Sequence, residues 1–135
     1  MKFIFEINER AVGKQRPRYS SRVKGMYTPI ETITFEEKVK TAFINKYNIQ
    51  TEASKKPFKA KIIATFKPGE TYSKKKREQL LTQIYAQKPD VDNIAKSVLD
   101  SLNGLAYKDD RQVSALEVYK EFGIENKIYV ELEEC

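Results

Sequence analysis

Histidine is absent from this 135-residue chain, and that one absence removes several chemistries together. A Ser-His-Asp or Cys-His nucleophile cannot be built, nor a His-ligated zinc site, nor a histidine general base. The single cysteine, Cys135, stands at the last position. It excludes an intramolecular disulfide and a cysteine metal cluster, and it points to a reducing, cytoplasmic setting. Tryptophan is missing too, so eight Tyr and seven Phe supply all the aromatic area. No run approaches the ~18 apolar residues of a membrane span, and the N-terminus lacks the apolar core of a secretion signal. Any catalysis must therefore use carboxylates, lysines, tyrosines or a metal held through oxygen.

What is present describes one domain over residues 1–135, 40% hydrophobic and long enough to bury its own core. The net charge is +6, unevenly spread. Residues 1–89 carry 20 basic against 8 acidic side chains, and residues 90–135 carry 5 against 11. A basic body attracts a polyanion, and nucleic acid is the commonest one in a cell. A protein that is basic without purpose is the blander explanation. An acidic cluster set in a basic surface weighs against it, because cutting a phosphodiester needs both.

Taken in order, Met1–Asn8 alternates as a strand with Phe3, Phe5 and Ile7 on one face. Glu9–Ile33 reads as a long loop without regular structure, of the kind that is often functional. Lys14, Arg16, Arg18, Arg22 and Tyr27 are its candidate DNA contacts, with Arg16 and Arg18 the strongest phosphate donors. Thr34 and Glu37 form a capping-box pattern that predicts a helix to Tyr47, with Phe35, Val39, Phe43 and Tyr47 as its apolar stripe. Asn48–Pro57 is a polar connection, and Phe58–Lys67 alternates as a half-exposed strand. Ser73 caps a predicted helix from Lys74 to Ala86. Its opening Lys74, Lys75 and Lys76 oppose the helix dipole, which fits either DNA contact or a solvated end. Gln112–Phe122 and Lys127–Glu133 alternate as strands and suggest a C-terminal hairpin. The expected fold is α+β, one mixed or antiparallel sheet with helices packed on one face.

The most informative stretch is KPDVDNIAKSVLDSLNGLAYKDD, Lys88 to Asp110, with five aspartates. Asp90 and Asp92 alternate, so in an extended segment their carboxylates share a side. Asn93–Leu102 reads as a helix on Ile94, Val98 and Leu102, and Lys96 lies one turn beyond Asp92. Asn103-Gly104 tolerates a left-handed terminus, and Asp109-Asp110 follow. Acids gathered from two segments repel unless a cation lies between them, which suggests one or two Mg²⁺ ions held through oxygen. Such a metal activates water and stabilises charge on a phosphate being cut, while Lys96 neutralises charge on the leaving oxygen. Taken singly, Asp92 is an ordinary helix cap, Asp109-Asp110 a turn, and Lys96 with Asp100 a surface i,i+4 pair. The combination in a histidine-free basic chain is much harder to dismiss.

KPDVDNIAKSVLDSLNGLAYKDDRQV closely resembles the signature of the RusA family of Holliday junction resolvases. KQRPRYSSRVKGMYTP is similar to that family's basic Arg-Pro-Arg segment followed by Tyr-Thr-Pro. The resemblance implies a RusA-like fold, metal ligands at Asp90, Asp92 and Asp110, an essential lysine at Lys96, and support from Asn93. Asp109 is an alternative or accessory ligand, and the choice between it and Asp110 stays open. It further implies a homodimer that nicks symmetrically related strands of a four-way junction in recombination and repair. Mg²⁺ is the implied cofactor, Mn²⁺ a substitute, and no small-molecule cofactor or membrane is involved. A less selective nuclease acting on forks or flaps, and a DNA-binding module without activity, are the competing readings.

Overall fold

The chain runs through β1 (Lys2–Ile7), β2 (Arg18–Ser20), β3 (Gly25–Tyr27), α1 (Ile30–Tyr47), β4 (Phe58–Phe66), α2 (Lys74–Leu80), α3 (Val91–Ser101), a 3₁₀ turn (Asp110–Gln112), β5 (Val113–Phe122) and β6 (Lys127–Glu134). This computed structural model describes residues 1–48 and 52–135. Residues 49–51 of the expected polar connection lie outside the described residues.

Alternation builds the main sheet, whose order is β1-β6-β4-β5. Phe3, Phe5 and Ile7 pair across to Leu132, Val130 and Ile128, which pair in turn to Ala60, Ile62 and Ala64. All nine are buried on one face. Over that face lie α1, through Phe35, Val39 and Phe43, and α3, through Ile94, Val98 and Leu99. The Phe43 ring meets Phe3 and Phe5 edge-on at 5.1 and 5.5 Å, the arrangement their quadrupoles favour. The architecture is therefore α+β, a mixed sheet with helices on one side.

Four local expectations need correction. The last two strands are not a hairpin: β6 is antiparallel to β4, β5 is parallel to it, and β4 lies between them. The connection from β5 to β6 instead passes the end of β4. There the Gly123 N–H donates to the Phe66 carbonyl at 3.0 Å, and the Lys67 N–H to Asn126 Oδ1 at 2.8 Å. A Cβ on Gly123 would come within 2.2 Å of Thr65 Cγ2, so the crossing depends on glycine. The half-exposed pattern of β5 (Leu116 and Glu117 both face solvent) suits an edge, and the buried alternation of β6 suits the interior.

The second correction concerns α1, which starts at Ile30 behind Pro29, ahead of the Thr34-Glu37 pattern. The Pro29 carbonyl accepts the Thr32 and Ile33 N–H groups, and proline's fixed φ suits a helix start. Third, α2 ends at Leu80. Past it, the Tyr85 N–H donates to the Lys120 carbonyl and the Phe122 N–H to that of Gln83, so this segment lies along the β5 edge. The Tyr85 ring stacks on Phe66 with centroids 3.9 Å apart. Burying that ring outweighs one more helical turn. Fourth, the expected loop contains the antiparallel ribbon β2–β3, with Arg18 opposite Tyr27 and Tyr19 opposite Met26.

Beneath the acidic segment, Tyr107 is fully buried, its ring edge-on to Phe58 at 5.5 Å. Its hydroxyl donates to the Leu99 carbonyl at 2.6 Å, tying the end of α3 to the segment before Asp109. Burial, and then the nearby Asp110, push this phenol's pKa up, so it stays a neutral donor. Tyr107→Phe is expected to cost about 1 kcal/mol, read as a lowered urea midpoint. An unchanged midpoint would mean that the hydroxyl contributes nothing to this tie.

Candidate metal and nucleic-acid site

Asp90 is the N-cap residue of α3 and Asp92 lies in its first turn, where the helix dipole favours negative charge. Both side chains are exposed, and Asp90 makes no capping bond. The corner that carries them is fixed from three directions. Tyr85 Oη donates to the Lys88 carbonyl at 2.8 Å and accepts from Arg10 Nη2 at 3.0 Å. Lys120 Nζ reaches from β5 to the carbonyls of Gln87 at 2.7 Å and Pro89 at 3.0 Å. From the opposite side, the Lys14 N–H donates to the Asn93 carbonyl at 2.8 Å. Gly13 sits so close that a Cβ there would lie 2.9 Å from that of Pro89 and 3.1 Å from that of Asn93. The backbone of Asn93 thus belongs to the seam between the basic segment and α3.

One turn further along α3, Lys96 Nζ lies 2.9 Å from Asp100 Oδ1 and 3.0 Å from Asp110 Oδ2. Hydrogen bonds to Asp100 and then Asp110 hold the ammonium's pKa above its ordinary value, against a small opposing effect of burial. Burial works against ionising Asp110, yet Lys96, helped by Asn103 Nδ2 at 3.5 Å, keeps its carboxyl below the usual range. Asp100 also takes Lys14 Nζ at 3.3 Å, and Lys14 Nζ lies 2.6 Å from Glu36 Oε1 on α1. A ladder of alternating charge, Glu36–Lys14–Asp100–Lys96–Asp110, therefore joins α1, the basic segment, α3 and the 3₁₀ turn. Sequence reasoning treated Asp100 as half of a surface pair, and placed Lys14 among the phosphate contacts.

Asp109 and Asp110 are used differently. The Asp109 carboxylate accepts from the Arg111 N–H at 2.9 Å, and its own N–H donates to Gln112 Oε1 at 3.0 Å, a reciprocal cap. Gln112 Nε2 continues to the carbonyls of Ser54 and Lys56. Asp109 is thereby occupied in shaping the turn, and Asp110 is the acid that faces Lys96.

Among the described residues no three acids are drawn close enough together to cage an ion. Asp90 and Asp92 head α3, and Asp110 lies across Lys96 from it. The chemistry of the donors nonetheless fits a hard divalent cation. They are carboxylate oxygens, and the exposed Asp90 and Asp92 make no hydrogen bond or ion pair with side chains among the described residues.

The remaining candidates divide into two groups. Arg16, Arg18, Arg22 and Tyr27 lie on or beside the β2–β3 ribbon, and all are exposed. Lys74, Lys75 and Lys76 open α2, past the Phe66 end of β4, where Lys74 lines a small cavity with Lys67, Arg77 and Ile124. Asp110 precedes Val113, the partner of Phe58 at the other end of β4, so the lysine run and Asp110 lie toward opposite ends of that strand. No helix among the described residues is long and apolar enough to cross a membrane.

A protein of Bacillus subtilis (strain 168) described as "Uncharacterized protein YqaN" is 45% identical over 64 residues. That stretch covers 46% of this chain and 45% of that protein, less than half of either. The family described as "Endodeoxyribonuclease RusA" matches residues 9–133, which take in the ribbon, the charge ladder and every candidate aspartate. The chain therefore belongs to the RusA family of endodeoxyribonucleases.

Proposed function

We propose that this protein, as a homodimer, resolves four-way DNA junctions in recombination and repair by paired symmetric nicks that depend on Mg²⁺. The observation that carries the proposal is the pair of exposed carboxylates, Asp90 and Asp92, without side-chain partners among the described residues, at the head of the helix whose Lys96 is held against Asp110. Asp90, Asp92 and Asp110 would hold the divalent ion, with Mn²⁺ a substitute. When bound, it supplies water activation and charge stabilisation at phosphorus. Asp100 keeps the Lys96 ammonium extended toward Asp110, so its position is set before DNA arrives. Lys96 then offers N–H donors to the oxygen that gains charge as the P–O3′ bond breaks. A new P–O bond forms to the water oxygen, and the water's proton is transferred in the course of the reaction to the departing 3′ oxygen. The products are a 5′-phosphate and a 3′-hydroxyl, which a ligase can rejoin. Two copies related by a two-fold axis would match the symmetry of the junction.

The direct test is incubation with an end-labelled four-way junction. Paired cuts are expected with Mg²⁺ and none with EDTA. Cutting of forks or flaps at the same rate as junctions would favour the less selective nuclease. No metal-dependent product on any branched substrate would favour a DNA-binding module.

A further inference from the structure

The β2–β3 ribbon leaves unusual side chains in solvent. Tyr19 and Met26 are 66% and 65% exposed, and Val23 at the turn is 69% exposed. Tyr19 and Met26 are directly opposed across the two strands, so they form one apolar face, while Arg18 and Tyr27 form the other. The ribbon is a separate two-stranded sheet that does not pair with the main one. Arg16, Arg18, Arg22 and Lys24 stud it, and no acid occurs from Ala11 to Ile30. None of these four cations has a salt-bridge partner among the described residues.

That composition narrows what the apolar face meets. A second ribbon is disfavoured, because face-to-face contact would bring like charges together without compensation. A polyanion that also offers flat apolar surface satisfies both halves, and bases beside phosphates do so. Position points the same way. The segment that leads into the ribbon, Gly13 and Lys14, is locked onto Pro89 and Asn93, the residues flanking Asp90 and Asp92.

We infer that the β2–β3 ribbon selects branched over linear DNA, its arginines taking phosphates while Tyr19 and Met26 cover bases unstacked at the branch point. In a continuous duplex every base face is already covered by its neighbours, so the apolar face gains nothing there. At a branch point the stacking is interrupted and the face has a partner. The selection rests on the junction-cutting function proposed above, and its test reads binding, so the two fail separately.

The experiment uses the full chain with Tyr19→Ala and Met26→Ala combined, measuring dissociation constants for a four-way junction and for a linear duplex of the same sequence. The double variant is expected to bind the junction roughly ten-fold more weakly and the duplex within about two-fold of the parent protein. Tyr19→Phe, which keeps the ring, should retain the preference. Arg18→Ala with Arg22→Ala should weaken both substrates alike. Unchanged junction affinity in the double variant, or equal weakening on both substrates, would overturn the assignment. So would loss of binding to phosphatidylserine vesicles with junction binding intact, or conversion of a dimer to a monomer in sedimentation, since these would assign the face to a membrane or to a second copy. If the parent protein binds junctions selectively but does not cut them with Mg²⁺, the cutting function fails and the ribbon's role stands.

Discussion

Asp92→Asn is expected to abolish junction cleavage, with a loss of about 10³-fold or more in single-turnover rate, and Asp90→Asn should do the same. Each change would replace a charged oxygen of the proposed ligand set by a neutral amide of the same shape. A divalent ion contributes several kcal/mol to charge stabilisation at phosphorus, and a 10³-fold loss corresponds to about 4 kcal/mol. Folding should be untouched, because both side chains are exposed at the head of α3 and Asp90 makes no capping bond. Junction binding should survive or tighten, since removing negative charge near the phosphates reduces repulsion. Rates on a labelled junction, with binding measured in EDTA, separate the two effects. Cleavage that persists in both variants would place the centre elsewhere. Asp109→Asn provides a contrast, because that carboxylate caps the 3₁₀ turn at Arg111 and Asp110 faces Lys96. Its effect should be read first in stability.

Raising salt from 50 to 200 mM is expected to weaken junction binding by about 10³-fold if about six phosphates are contacted. The proposed contacts are side chains that no acid among the described residues holds. Arg16, Arg18, Arg22 and Lys24 qualify, and all four are exposed. Lys14 does not, because Glu36 and Asp100 hold it; partial burial works against its charge, and those two bonds outweigh burial and raise its pKa. Replacing Arg16 and Arg18 together by Ala should flatten the logarithmic salt slope by about two for each protomer on the junction, measured by titration across salt concentrations. A salt-independent affinity would contradict an electrostatic role for the basic half of the chain.

The parts of this molecule that local pattern dictates were legible from residues alone. Phe3, Phe5 and Ile7, or Ile128, Val130 and Leu132, alternate with period two and could hardly form anything but a strand with one buried face. Neighbours in the sheet were not legible. That β4 separates β5 from β6 follows from side chains far apart in the chain, and a short turn such as Gly123–Asn126 imitates a hairpin connection. Thr34 and Glu37 misled for a related reason: a capping pattern is a local option, and Pro29 starts the helix before that option arises. The ribbon escaped notice because its strands bury neither face and so carry no apolar period.

At the site, spacing put Lys96 one turn beyond Asp92 on a helix, but the extended pairing expected of Asp90 and Asp92 does not form: α3 already opens at Val91, with Asp90 as its N-cap and Asp92 in its first turn. The ladder through Asp100 to Lys14 was not legible, because it joins α3 to a segment more than eighty residues away. One signal was present and unused. Lys120 falls on the phase of β5 shared with Val118 and Phe122, an odd place for an ammonium. It stands there because its Nζ fastens the backbone of Gln87 and Pro89, just ahead of Asp90.

The parallel pairing of β4 with β5 governs how the protein comes together. Two parallel neighbours cannot be joined by a tight turn, so everything from Lys67 to Gln112 must be threaded out and back before β5 can dock. Lys96 rides midway along that excursion and Asp110 stands at its final bend. Their contact at 3.0 Å closes a loop of only 14 residues, whereas the docking of β5 on β4 joins distant parts of the chain and is the costlier closure. Asp110 stands three residues ahead of Val113, where β5 begins. The edge strand and the acid opposite Lys96 are thus anchored by one short segment, and a change that loosens one is expected to loosen the other.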